Sequence, residues 1–222
     1  SRLGTDMPTH FPRLQSNLVQ WFLIACPDGN EGWWIGHAWA QPGLKHLDSQ
    51  GNVSSAPFGL PHENVWALHR DSQQRLWVGT VDGLLVENNG TTQTFNETDG
   101  LPGPQIYSFE ESPEGDIWIG TNLGIARFDG TRFSTPEILT PLNDLLIWDI
   151  FLDSRGVYWI GTAGAGLYRY DGVCLNHLST EDGLAANTIL DFTEDSKGQV
   201  WIASWRGLSR YTHRPYQPRR PT

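Results

Sequence analysis

The sequence predicts an all-β protein, a β-propeller, from three observations. A short apolar strand built around one tryptophan recurs five times, at Trp34, Trp77, Trp118, Trp159 and Trp201. The copies are 41 to 43 residues apart, and short strands and glycine-rich turns fill the intervals. A repeat of about 40–45 residues with this content is typical of a propeller blade. We therefore expect one blade for each copy.

The third repeat shows the predicted content of a blade most clearly. Alternating or apolar segments at 105–110, 117–121 and 124–128, and a fourth that begins at Thr131, are separated by tight turns rich in Gly, Asn, Asp and Pro. This order predicts a four-stranded antiparallel meander. Its strands are named a, b, c and d from the propeller axis outwards.

Strand b of each repeat is apolar on both faces. In the third repeat Ile117 and Ile119 point one way and Trp118 the other, as in a strand that is covered on both sides. Gly120 lacks a side chain and so lets a neighbouring sheet approach closely. We interpret the five repeat tryptophans as packing between blades.

The two ends of the chain predict how the ring closes. The last repeat stops after strand c at Tyr211 and enters a proline-rich stretch, whereas residues 8–12 resemble a strand d. Phe11 precedes Phe22 by the same interval that separates Phe95 from Ile106. Pairing of the two ends in one blade predicts a closed ring of five four-stranded blades. The alternative is a fragment of a seven- or eight-bladed propeller.

These assignments give the predicted domain organisation. The propeller occupies residues 1–213, and 214–222 form an Arg/Pro-rich tail or linker. The blades are expected at about 17–60, 61–103, 104–143, 144–186 and 187–213, the last completed by the N-terminal strand 8–12.

Composition narrows the classes of partner. The net charge is −10 with 15 Lys plus Arg, which disfavours nucleic acid and an anionic membrane surface as partners. No apolar run is long enough to span a bilayer. Cys26 and Cys174 match no metal-ligand spacing and are not expected to form a disulfide. We predict neither a cofactor nor a metal.

A longer repeat pattern is visible in 153–172 and 195–211, and Asp-Gly-Leu loops at 99–101 and 182–184 precede the next blade. This pattern resembles the two-component regulator propeller repeat over almost the whole chain. The resemblance implies a sensor domain of the kind found in bacterial hybrid histidine kinases that respond to glycans. It also implies an extracytoplasmic location, periplasmic or secreted.

The candidate ligand site lies where the repeats disagree, on the rim that carries the d–a and b–c loops. Repeats 1 and 5 have irregular b–c loops, which a closed ring places side by side. Aromatic faces there can stack on a sugar, and polar groups can bind its hydroxyls. The residues concerned are His37, Trp39, His62, Glu63, Asn64, Trp205 and Arg206. The competing interpretation is packing at an irregular seam.

A second candidate lies nearer the axis. One register position of strand a carries Ile24, Ala67, Ser108, Asp149 and Asp191. The two aspartates predict binding of a cation or of sugar hydroxyls. The alternative is that they face channel water.

The function that we expect is a non-enzymatic ligand-binding or sensor module, with a glycan or another small polar molecule as its ligand. Candidate carboxylates are present, but no motif selects the pair that a hydrolase needs. The main alternative is a scaffold that binds a protein partner. A propeller hydrolase or a streptogramin-lyase-like enzyme is less favoured.

Overall fold

The computed structural model describes residues 23–37 and 43–212. Within them the chain is all-β, and five antiparallel sheets follow one another as propeller blades. Four sheets have four strands in the order a-b-c-d, and the described part of the fifth has three. The all-β class and the blade order predicted from the sequence are confirmed.

The strands are numbered in chain order, and each blade begins at its inner strand a. They are β1 (Leu23–Pro27), β2 (Trp33–His37), β3 (Gly43–Leu47) and β4 (Val53–Ser55) in blade 1; β5 (Val65–Arg70), β6 (Leu76–Thr80), β7 (Leu84–Asn88) and β8 (Thr91–Phe95) in blade 2; β9 (Ile106–Glu111), β10 (Ile117–Thr121), β11 (Gly124–Phe128) and β12 (Phe133–Ser134) in blade 3; β13 (Ile147–Leu152), β14 (Tyr158–Thr162), β15 (Leu167–Tyr170) and β16 (Leu175–Leu178) in blade 4; and β17 (Ile189–Glu194), β18 (Val200–Ser204) and β19 (Gly207–Tyr211) in blade 5.

Short 3₁₀ helices occupy three of the d–a loops, where no helix was predicted from the sequence. They span Glu97–Asp99, Glu137–Leu142 and Thr180–Asp182. The first and third begin with a capping box. The side chains of Asn96 and Ser179 accept a backbone N–H of the helix, and their own backbone N–H groups donate to a carboxylate of the helix. The Asp-Gly-Leu loops thus begin with the last residue of a helical turn.

In blades 2, 4 and 5 an aspartate fixes the a–b turn, and this aspartate also accepts a hydrogen bond from the repeat tryptophan. One carboxylate oxygen accepts the backbone N–H four residues on, and the other accepts the indole N–H six residues on. The carboxylate–indole pairs are Asp71–Trp77 at 2.8 Å, Asp153–Trp159 at 2.9 Å and Asp195–Trp201 at 3.0 Å.

Neighbouring blades pack through the apolar faces of strand b. A Cβ added to Gly79 would lie 2.7 Å from Ile106 Cγ2 of the next blade, and one added to Gly161 would lie 2.9 Å from Ile189 Cγ2. Glycine at this position therefore permits the close approach that the sequence predicted. Trp77, Trp118 and Trp159 are buried in the cores between blades.

The outward face of blade 5 differs from the equivalent faces of the other blades. Strands β1, β5, β9, β13 and β17 pack in this order, each against the next, and within the described ranges β17 makes no comparable contact with β1. Leu208 is 60% exposed. Its equivalents in blades 1 to 4 are at most 3% exposed, namely Leu44, Leu84, Ile125 and Leu167.

The predicted ring closure depends on residues that lie outside the described ranges. The residues concerned are Phe22 and the N-terminal strand 8–12, which includes Phe11. The tail 214–222 also lies outside the described ranges. Closure and the domain boundaries therefore remain predictions.

Both cysteines are free thiols, Cys26 buried and Cys174 exposed. Burial raises the pKa of the Cys26 thiol to about 12.

Candidate functional site

The d–a and b–c loops form one rim and are joined by backbone hydrogen bonds. Between blades 2 and 3, Gly83 N–H donates to Pro104 O at 2.7 Å, and Asn122 N–H donates to Gln105 O at 3.1 Å. The d–a loop is thus held between the b–c turns of the two blades that it connects. Loops fixed in this way can present side chains in a defined geometry.

The structure brings together the candidate residues predicted from repeats 1 and 2. His37 ends strand β2, is half-buried and pairs with Gly43 of strand β3. Gly43 N–H donates to Glu63 O at 2.6 Å, which places the d–a loop beside this turn. Burial, together with the charge of Lys45, lowers the pKa of His37 below its usual range.

The other two residues of this d–a loop are ordered locally. The His62 side chain accepts the backbone N–H of Asn64 at 3.0 Å through Nδ1. His62 and Glu63 are exposed, and Asn64 is half-buried. These residues present polar groups to solvent beside blade 1.

Of the two tryptophans predicted to meet across a seam, Trp205 lies within the described ranges. Trp205 and Arg206 form the turn between β18 and β19, and Trp205 is 72% exposed. The turn is anchored by Trp205 N–H, which donates to Thr188 O at 3.2 Å. Trp39 belongs to residues 38–42, outside the described ranges. The meeting of Trp39 with Trp205 remains a prediction.

The predicted register on the inner strands is observed, and it places two carboxylates together. Asp149 pairs with Gly161, and Asp191 with Ala203. Phe192 N–H lies 3.2 Å from Asp149 Oδ2 and 2.8 Å from Asp191 Oδ1, so both carboxylates share one donor. Burial, together with the charge of Asp191, raises the pKa of Asp149 well above its usual range.

The inner strands also carry a row of bulged residues that the sequence analysis did not identify as candidates. In blades 2, 3 and 4 the pairing between strands a and b skips one residue, which is Trp66, Tyr107 or Trp148 respectively. In blade 5 it skips Leu190. A bulge leaves the extra residue outside the ladder and changes the direction of its side chain.

The three bulged aromatic residues contact one another from blade to blade. The ring centroids of Trp66 and Tyr107 are 4.8 Å apart, and those of Tyr107 and Trp148 are also 4.8 Å apart, at 71°. All three side chains are half-buried. Tyr107 O–H donates to Gln105 Oε1 at 2.9 Å. We call Trp66, Tyr107 and Trp148 the inner aromatic arc.

Two polar atoms beside this arc have no protein partner. Within the described ranges, Trp148 Nε1 and Ser108 Oγ are buried and meet no hydrogen-bonding group. Ser108 occupies the same register as Asp149, and Trp148 directly precedes Asp149 in the chain. Unsatisfied buried polar groups cost free energy and need an explanation, such as a bound molecule or water. The arc therefore has the composition of a binding surface.

One signal in the sequence could have identified the arc. An aromatic residue stands directly before the register position of Ala67, Ser108 and Asp149 in three consecutive repeats. Strict alternation would place this residue on the opposite face of strand a from its neighbour. Only the residue skipped in the pairing of strands a and b shows that these aromatic side chains form a row of their own.

The described ranges contain neither a candidate metal cluster nor a helix that could cross a membrane. No group of three or more His, Cys, Asp or Glu side chains there could hold a metal ion. Nor does that part of the chain contain a helix with the length and apolar character needed to cross a membrane.

Comparison with known sequences identifies the repeat. The sequence profile of the two component regulator propeller matches residues 59–82, 100–123, 141–164 and 183–206. Histidine kinase P4 from Formosa agariphila is 26% identical over 155 residues, which cover 69% of this chain and 9% of that protein.

Comparison with solved structures supports the same fold. The extracellular domain of the hybrid two component system BT3049 from B. thetaiotaomicron matches with a TM-score of 0.71 at 20% identity, over 85% of this chain and 27% of that one. The extracellular domain of BT4673 from the same organism gives a TM-score of 0.72 at 22% identity, over 86% and 27%. Virginiamycin B lyase from Staphylococcus aureus gives 0.66 at 18% identity, over 85% and 64%. The chain thus spans less than a third of the two extracellular domains.

Proposed function

We propose that this chain, which carries the repeats of the two component regulator propeller family, is a non-enzymatic sensor module that binds a small polar ligand, with a glycan as the favoured class. The ligand would bind on the d–a/b–c rim, at the inner aromatic arc. An extracytoplasmic location is part of the proposal, because the similar BT3049 and BT4673 propellers are extracellular domains.

The observation that carries the proposal is the inner aromatic arc with its unsatisfied Trp148 indole. Half-buried aromatic rings offer flat apolar faces, and pyranose rings have apolar faces of similar size. The indole N–H of Trp148 and the carboxylates of Asp149 and Asp191 provide a donor and acceptors beside the rings. A few polar groups beside apolar faces are typical of small-molecule sites.

The test is a binding screen by thermal shift and calorimetry with neutral and charged oligosaccharides. We expect Trp148→Ala to weaken the binding of any ligand found by about tenfold or more, since a stacked aromatic residue commonly contributes more than 1 kcal/mol. Trp66→Ala should act in the same direction. Unfolding curves of each variant would check that the fold is retained.

Trp205→Ala and Trp39→Ala form the comparison arm, because they test the site predicted from repeats 1 and 5. A ligand that is lost in these variants and kept in Trp148→Ala would move the site away from the arc. Chemical turnover of a bound ligand would contradict the non-enzymatic part of the proposal. Loss of turnover in Asp149→Asn or Asp191→Asn would then assign the chemistry to those carboxylates.

A further inference from the structure

The two rims of the propeller differ in how their charges are balanced. Every arginine–carboxylate pair in the described ranges lies at the a–b/c–d rim, as in Arg75–Asp71 and Arg127–Asp116. The d–a/b–c rim has no such pair there. Four acidic residues of the a–b/c–d rim are thus paired with arginine, whereas no described acidic residue of the d–a/b–c rim has an arginine pair.

Acidic side chains are present in each of the four described d–a loops. They include Glu63, Glu97, Asp144 and Glu181, all of which are exposed. Among the d–a and b–c loop residues that the structure describes, Arg206 is the one Lys or Arg. Unbalanced charge of one sign around a concave rim raises the local concentration of small ions of the opposite sign. This rim therefore favours cations.

The inner strands add two contacts that an organic cation requires. The faces of Trp66, Tyr107 and Trp148 carry the negative side of the aromatic quadrupole, which attracts an ammonium group. Asp149 and Asp191 place two carboxylates around a single N–H donor, so their charges are poorly compensated within the described ranges. A ligand that brings a positive charge would relieve their mutual repulsion.

The buried polar atoms fit the same ligand. Ser108 Oγ, in a residue 93% withdrawn from solvent, and Trp148 Nε1 both lack a partner among the described residues. A hydroxylated ligand can donate to the serine oxygen and accept from the indole. A bare inorganic cation could not accept from the indole N–H.

We infer that the d–a/b–c rim binds a ligand that carries both hydroxyl groups and a free ammonium group, that is, an amino sugar or an oligosaccharide that contains one. This inference rests on the proposed function and names the chemical class of its ligand. The aromatic arc would stack on the sugar ring, and Asp149 with Asp191 would bind the ammonium group.

The test compares two oligosaccharides that differ only in acetylation of the amine. Calorimetry of the whole chain at neutral pH and low salt would use a β-1,4-linked glucosamine tetrasaccharide and its fully N-acetylated counterpart. We expect the free amine to bind about tenfold more tightly, and the difference to shrink as salt is added.

Variants separate the contribution of charge from that of stacking. Asp149→Asn and Asp191→Asn should weaken the binding of the free amine more than that of the acetylated sugar, and so remove most of the preference for the free amine. Trp148→Ala should weaken both sugars. Asp171→Asn, an exposed carboxylate on the opposite rim, is the matched control and should change neither.

The possible outcomes distinguish this inference from the proposed function. Equal binding of the two sugars, with loss of both in Trp148→Ala, would overturn the ammonium inference and leave the proposed function standing. A preference for the free amine that persists in both asparagine variants would also overturn the inference. Binding of neither sugar, together with no ligand from the wider screen, would reject the proposed function.

Discussion

Asp149 retains a carboxylate where its charged form is disfavoured. Its side chain points towards the next blade, is half-buried, and shares the Phe192 N–H with Asp191. In the equivalent position blade 2 has Ala67 and blade 3 has Ser108, neither of which carries a charge. The repeat therefore does not need an acid here for folding. A residue that opposes stability without a structural need is a candidate for function.

The consequence for stability can be measured as a function of pH. Because the pKa of Asp149 is raised in the folded protein, the folded state holds this proton more tightly than the unfolded chain does. The stabilisation that this tighter proton binding gives the folded protein is complete at acid pH and is lost as the pH rises through the raised pKa. We expect Asn at position 149 to stabilise the protein by about 0.5–2 kcal/mol at neutral pH.

Urea unfolding of Asp149→Asn and the parent protein over a range of pH would check this. The difference should disappear at acid pH, where the parent carboxyl is protonated in both the folded and the unfolded state. A variant that is less stable at neutral pH would show instead that the ionised carboxylate makes a net stabilising contact, for example with Phe192 N–H.

At the scale of the element, strand b determines how closely two blades approach. Gly36, Gly79, Gly120 and Gly161 occupy one position in blades 1 to 4, and blade 5 has Ala203 there. A Cβ at Gly161 would come within 3.0 Å of two Ile189 atoms. The methyl group of Ala203 belongs to the face of blade 5 that no described blade covers. Among the described blades, the position carries a side chain only on the face that no described sheet covers.

Gly161→Ala is therefore expected to destabilise the protein by about 1–3 kcal/mol, through overpacking against Ile189. Ala203→Gly is the matched variant and should change the free energy of unfolding by less than about 1 kcal/mol. Chemical denaturation of both variants measures the difference. Equal destabilisation by the two substitutions would mean that blade 5 has a close neighbour in solution.

Part of this element-level detail could be predicted from the sequence. The two apolar faces of strand b and the glycine that follows them repeat with little change, and repetition made both identifiable. The bulges at Trp66 and Trp148 were missed, because an inserted residue leaves a plausible alternating strand in the sequence. The 3₁₀ helix Glu137–Leu142 was missed as well, since it contains Pro141 and replaces most of an outer strand.

At the scale of the whole molecule, the order of the blades and the inner register of Asp149 and Asp191 were predictable from the sequence, and the inner aromatic arc was not. Five tryptophan strands at a nearly constant interval give five blades directly. The inner aromatic arc combines one residue from each of three blades, and its geometry depends on how the blades pack. The choice of irregular loops as the site drew attention to Trp205, whereas the contacting aromatic residues belong to the regular blades.

Ring closure can be tested through two equivalent leucines. Leu167 is fully buried between blades 4 and 5, and Leu208 occupies the same position on the exposed face of blade 5. Leu167→Ala should cost about 2–5 kcal/mol. From its exposure we expect Leu208→Ala to cost less than about 1 kcal/mol. A cost like that of Leu167→Ala would show that another blade covers Leu208, as the closed ring predicted from the sequence requires.

The sequential packing of blades also has a consequence for how the protein opens. Each described blade makes its main contacts with the blades before and after it in the chain. Stability in such an array behaves as a sum of nearest-neighbour terms along one dimension. Opening should then begin at an end and propagate inwards, so amide hydrogens of β18 should exchange faster than those of β10. The inner aromatic arc, which spans blades 2 to 4, lies in the segment expected to exchange last.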